Sequence, residues 1–150
     1  MKVVIQKVSE ASVSIAQKKV ANIQHGLVVL LGIHPQDSVE DILWLCKKIV
    51  NMRLFEDENG VNNLSVKEVL GDIIVVSQFT LYAQTKKGNR PSYTQAAKPE
   101  IAIPLYEQFK AKLAKQLEKP IQSGQFGAHM QITLTNNGPV TICMDTLNKT

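Results

Sequence analysis

The chain has no apolar run approaching the roughly 20 residues that a membrane-spanning helix needs, so no transmembrane segment is expected. Its opening stretch, "MKVVIQKVSEASVSI", alternates and lacks a small-residue cleavage site; it reads as a strand, not as a signal peptide. Cysteine is scarce. Cys46 and Cys143 lie far apart, which suits two buried thiols in a reducing cytoplasm better than a disulfide framework. His25, His34 and His129 are isolated, and neither a CxxC pair nor an HExxH helix occurs, so no metal and no cofactor are expected. A GxSxG nucleophile elbow is missing, as are the glycine patterns of phosphate-binding and dinucleotide-binding loops. Cys46 falls on the apolar face of a helix and Cys143 in an apolar strand, positions where thiols are inert. Catalysis by such a chain would rest on neither a standard side-chain triad nor a metal.

What is present describes a folded domain. With 150 residues, 44% hydrophobic and 20% charged, the composition is that of a globular protein able to bury a core, read as one domain over 1–150. The net charge of +4 suits an anionic partner without naming it. "VVIQKVSEASVSI" alternates as a strand with a polar turn near Ser9-Glu10. "KKVANI" and "GLVVLLGI" read as two more strands joined at His25-Gly26, the latter apolar enough to be buried on both faces. After Asp37 or Ser38 as N-cap, Val39, Ile42, Leu43, Cys46, Ile49 and Val50 recur at helical spacing. "DENGVNNLSV" reads as a loop and "DIIVVSQFTLYA" as a β-branched strand with a polar end. A second helix starts near Pro99, shows Ala102, Leu105, Phe109, Leu113 and Leu117 on one face, and stops at Pro120. The fold class is mixed α/β: one strand-rich domain with two amphipathic covering helices.

Three stretches carry chemistry. Ser77, Gln78 and Thr80 surround Phe79 where the β-branched strand ends. They fit a strand end whose hydroxyls finish the sheet, and they also fit a small carbonyl-binding pocket with an aromatic wall. Lys86, Lys87 and Arg90 around Gly88 form either a solvated turn or a phosphate-binding loop. In "MQITLTNNGPVTICM", Gly138-Pro139 splits what should be one strand. Proline gives no N–H to a sheet ladder, so the pair marks an edge, a bulge or a sharp turn.

Taken in order, "MKVVIQKVSEASVSI", "VVSQFTLYA", "KGNRPSY" and "NNGPVT" resemble the D-aminoacyl-tRNA deacylases, over essentially the whole chain. That resemblance implies a cytoplasmic homodimer that hydrolyses the ester joining a D-amino acid, or glycine, to the 3′ end of tRNA. It implies that Ser77, Gln78, Phe79 and Thr80 line the catalytic pocket. It makes Gly138-Pro139 a Gly-cis-Pro motif that reaches into the partner subunit's site, where backbone carbonyls leave no room for an L side chain. Lys86, Lys87 and Arg90 then become tRNA contacts. It further implies that the terminal ribose 2′-hydroxyl helps to activate water, with Thr80 as covalent nucleophile the competing scheme. One position departs: Lys7 stands where the family often has arginine, and a lysine lacks the bidentate guanidinium fork. A non-catalytic tRNA- or RNA-binding module is the alternative reading.

Overall fold

The computed structural model describes residues 1–149. The alternating amino-terminal stretch forms β1 (Lys2–Ile15), and it runs without a break through Ser9-Glu10. The expected turn is instead a bulge: both residues are exposed, and the pairing with β8 (Gln131–Asp145) slips between Val8 and Glu10. On its other edge β1 has two successive antiparallel neighbours. β3 (Gly26–Gly32) covers its first half, from Lys2 opposite Gly32 to Val8 opposite Gly26. β2 (Lys18–Ile23) covers its second half, from Ala11 opposite Ile23 to Ile15 opposite Lys18.

β6 (Asp72–Ser77) runs parallel to β3, from Gly26 opposite Asp72 to Leu31 opposite Ser77, and the short β7 (Gln122–Ser123) runs parallel to β6. The Gln122 side chain accepts from the backbone N–H of Asn22 (2.7 Å) and donates to its carbonyl (2.8 Å). These bonds draw β7 toward β2, so the two ends of the sheet path approach one another. The sheet therefore encloses one apolar core and presents a second to the helices. Val8, Val13, Ile23, Val28, Ile74 and Val76 fill the enclosed one. On the opposite face Val3, Ile5, Leu27, Val29, Ile73 and Val75 meet α1 (Val39–Asn51) and α2 (Pro99–Leu117). β3 and β6 are thus buried on both faces, as their unbroken apolar runs require.

Both helices form where the periodicity puts them, with shifted faces. Ser38 is the N-cap of α1 and its N–H donates to Asp41 Oδ2 (2.8 Å). Asp37 is occupied elsewhere, accepting from the Met1 ammonium group and from the His34 N–H. Val39 and Leu43 are exposed at 46% and 43%, and Leu45 takes the core position between Ile42 and Ile49. The helix has more apolar residues than its stripe can bury, so spacing alone chose two on the wrong side. On α2, Tyr106 and not Leu105 is fully buried, and the helix ends at Leu117 with Glu118 left-handed at φ 59°.

Other expectations need correction. "DENGVNNLSV" is not simply a loop: β4 (Arg53–Glu56) and β5 (Asn62–Ser65) pair as a hairpin, hidden by asparagines that disfavour strands. The strand expected through Ala83 ends at Ser77, and Phe79–Tyr82 coil into a 3-10 turn. Cys143 is exposed, because alternation along β8 turns it away from its half-buried neighbours Ile142 and Met144. Among the described residues no helix is long and apolar enough to cross a membrane.

The register of β3 against β6 depends on one close approach. A Cβ placed on Gly26 would lie 1.9 Å from the Asp72 carbonyl oxygen, so any side chain there forces the parallel strands apart. Gly26→Ala is expected to destabilise the fold by about 3 kcal/mol or more. Urea unfolding of the variant beside the parent measures this, and a midpoint shift equivalent to less than about 1 kcal/mol would refute it.

Candidate active site

The parallel pair determines where the chain opens. β3 and β6 end side by side at Gly32 and Ser77, and the Gln78 N–H donates back to the Leu31 carbonyl at 2.7 Å. Gln78 leaves the strand conformation (φ −143°, ψ 79°) and the chain tightens into the 3-10 turn. The Ala97 N–H donates to the Ile33 carbonyl at 2.8 Å, which brings the entry to α2 to the same edge. A loop before β8 closes the far side. The result is a cleft of about 220 Å³ at the carboxyl ends of the two parallel strands, where ligands of such sheets usually bind.

Ser77, Gln78 and Phe79 line this cleft together with Leu31, Ile33, Val76, Ala97 and Ala102. The wall opposite comes from Phe126, Gly127, Ala128, Met130 and Ile132. Sequence reasoning missed that second wall; the available signal was "SGQFGAHM", in which two glycines flank an aromatic residue. Phe126 is held edge-on against Tyr106, with ring centres 5.7 Å apart. Tyr106 in turn donates its hydroxyl to the Val75 carbonyl at 3.1 Å, and burial pushes its pKa up to about 12. No lining residue carries an ordinary titratable group.

The other predicted residues lie around the cleft. Thr80 is half-buried just outside the wall and accepts a hydrogen bond from Gln78 Nε2 at 2.5 Å, which fixes the two side chains relative to each other. Lys86, Lys87 and Arg90 are exposed and line a separate concavity, in a loop pinned by reciprocal backbone hydrogen bonds between Gln84 and Ser92. Phe79 bridges the two places. It lines the cleft, and its ring meets Tyr93 edge-on at 5.2 Å, immediately after the basic loop.

Gly138 and Pro139 do not reach the cleft of their own chain. Thr141 pairs with Gln6 and Asn136 with Val8, so residues 137–140 stand opposite Lys7 alone. They bulge outward, Asn137 to Pro139 exposed and Val140 half-buried against the core, with a cis Gly138-Pro139 bond and Gly138 at φ 122°, where a side chain is strained. The Asn136 amide, turned to satisfy both of its polar atoms, donates to the carbonyls of Lys7 (3.0 Å) and Val140 (3.1 Å) and accepts from Thr141 Oγ1 (3.1 Å). Lys7 is only 4% exposed beneath the bulge, its ammonium 5.9 Å from the Phe55 ring centre. Among the described residues no three His, Cys, Asp or Glu side chains gather as metal ligands would.

Fold and cleft define a strand-rich α/β protein with a small, uncharged binding cleft at the ends of parallel strands. The family model described as D-Tyr-tRNA(Tyr) deacylase matches residues 4–145. The chain is 62% identical over 149 residues to a D-aminoacyl-tRNA deacylase of Flavobacterium psychrophilum and 61% identical over 149 residues to one of Bacteroides fragilis, covering 99% of both chains in each case. A solved structure titled c-Myc DNA Unwinding Element Binding Protein superposes with a TM-score of 0.91 at 40% identity, over 97% of this chain and 99% of that one. A probable eukaryotic D-amino acid tRNA deacylase shares the fold at a TM-score of 0.81 and 17% identity, over 95% and 97% of the two chains. The chain belongs to the D-aminoacyl-tRNA deacylase family and is an enzyme, a hydrolase.

Cys46 is no candidate for the chemistry. Burial pushes its thiol up to about 12, only partly offset by Lys112, and its Sγ faces the Phe109 carbonyl at 3.7 Å. In the native protein at pH 8, Cys46 is therefore expected to resist a thiol reagent until urea unfolds the chain. Mass mapping of the alkylated peptides checks this, and labelling of Cys46 at the rate of a free thiol would contradict it.

Proposed function

We propose that this protein hydrolyses the ester of D-aminoacyl-tRNA, and of glycine mischarged on tRNA(Ala), releasing the amino acid and the tRNA. It acts in the cytoplasm as a homodimer and turns L-aminoacyl-tRNA away. The observation that carries this reading is a cleft bordered by Ser77, Gln78 and Phe79 whose lining has no general base. An ester can be cleaved there if the protein supplies position and an oxyanion pocket while the RNA supplies the activating group. The Gln78 N–H is already bonded to Leu31, so the donors left to a developing oxyanion are the N–H groups of Phe79 and Thr80, which start the 3-10 turn and have no acceptor within it. The 2′-hydroxyl next to the esterified oxygen then helps to orient the attacking water, and Thr80 orients Gln78 without forming a covalent intermediate.

The bulge at 137–140, exposed from Asn137 to Pro139, supports the second half of the reading. It has no use in the cleft of its own chain, but it is shaped to enter that of a second copy and to set backbone carbonyls beside the substrate's α-carbon. A D-residue or glycine fits such a site, and an L side chain meets the backbone. Lys86, Lys87 and Arg90 make no ion pair among the described residues, which leaves them free to meet phosphates.

Ester loss from D- and L-tyrosyl-tRNA, with and without the terminal 2′-hydroxyl, tests the chemistry. The parent is expected to cleave the D-substrate only, and removal of the hydroxyl is expected to slow it by on the order of 100-fold. Thr80→Ala is expected to stay within about tenfold of the parent. Trapping an acyl group on Thr80 would replace the RNA-assisted scheme by a covalent one, and equal cleavage of both enantiomers would remove the filter.

Replacing Lys86, Lys87 and Arg90 together by glutamine should weaken tRNA binding and flatten its dependence on log salt by about 2 to 3, as counterion release by three phosphate contacts requires. Filter-binding titrations across a salt series measure the slope. An unchanged slope would mean that the loop is only a solvated turn.

A further inference from the structure

Between the cleft and the basic loop lies a feature that the hydrolytic chemistry leaves unused. Phe79 is 55% exposed and Tyr93 38% exposed, large fractions for aromatic rings that already pack edge-to-face on each other. Phe79 is held by the 3-10 turn that continues from the cleft wall. Tyr93 follows Ser92, whose reciprocal bonds with Gln84 (2.8 and 3.0 Å) close the base of the loop bearing Lys86, Lys87 and Arg90. The pair therefore sits at the junction of an uncharged cleft and a concavity lined by three cations.

That order of surfaces is the order of groups along a single strand of RNA. Bases present flat π faces and stack on exposed aromatic rings; the phosphates between them seek cations. The interior of a duplex offers phosphates but no open base faces, since its bases are already stacked and paired. We propose that Phe79 and Tyr93 form a stacking platform for the unpaired nucleotides next to the esterified one, with the loop cations taking the phosphates on their far side. The proposal rests on the reading above that the esterified end occupies the cleft, and it adds which part of the RNA is held and by what. Tyr93 is then a positioning residue: it guides the tail into the cleft and does not touch the reacting ester.

The test compares two substrates bearing the same D-tyrosyl ester. One is a short helix ending in an unpaired 3′ tail; the other is D-tyrosyl-adenosine, which has no tail. Tyr93→Ala is expected to raise KM for the tailed substrate on the order of tenfold while leaving its kcat, and the rate on the adenosine ester, unchanged. Tyr93→Phe, which retains the ring, is expected to restore the parental KM. Equal losses on both substrates would show that Tyr93 only supports the fold of the turn, and a parental KM in Tyr93→Ala would remove the platform. Either result leaves deacylation by the parent standing. If the parent cleaves neither substrate, the underlying functional reading has failed instead.

Discussion

The register between β3 and β6 is the constraint on which the site depends. Parallel strands cannot be joined by a tight turn, so their alignment has to be set by contacts and not by chain connection. Here it is set at the Gly26–Asp72 end, where the backbones approach too closely for any side chain. Five residues further along, the same alignment places Leu31 opposite Ser77 and lets Gln78 bond back to Leu31. A slip of β6 by one residue would exchange its two faces, sending Ile74 and Val76 toward the helices and Ile73 and Val75 into the enclosed core. The cleft would vanish with it. The positions that hold the site in place lie at the opposite end of the strands from the site itself.

Much of this could be read before the structure, and the reasons divide cleanly. Alternation and helical spacing report burial, so the strands around Ile5, Val29 and Val75 and both helices stood where the pattern put them. Features set by pairing partners did not show. Ser9-Glu10 looks like a turn because both residues are polar, but β8 lies beside them and absorbs the irregularity as a bulge. Asn62 and Asn63 look like loop residues, yet pairing with β4 makes them a strand. Cys143 lies in an apolar run, but β8 is exposed on alternate residues. In the site, Ser77, Gln78 and Phe79 fell on the cleft wall, while Thr80 turned just outside it. The wall built by Phe126 and Met130 was missed, because "SGQFGAHM" marks a glycine-flanked loop and only the folded chain brings that loop across the ends of β3 and β6.

The electrostatic character of the cleft also limits what kind of catalyst this can be. Burial shifts the Cys46 thiol and the Tyr106 hydroxyl toward their neutral forms. Tyr82 is shifted the same way, by burial and then by the charges of Asp37, Asp145 and Asp41, and its buried hydroxyl has no partner among the described residues. None of these groups is prepared to move a proton near neutral pH. The cleft itself is lined without a titratable side chain, so what it offers a bound group is shape and fixed dipoles.

The bulge opposite Lys7 has a consequence for how such a chain can change over time. Thr141 to Asp145 and Gln131 to Asn136 are each registered on β1 by their own ladder, and nothing in either ladder fixes how many residues lie between them. Insertions and deletions in a regular strand displace every residue beyond them and are lost. Between Asn136 and Val140, which packs on the helix-side core, the chain could lengthen or shorten without disturbing either ladder. Change at the exposed tip, Asn137 to Pro139, is thereby uncoupled from the register of the sheet that carries it.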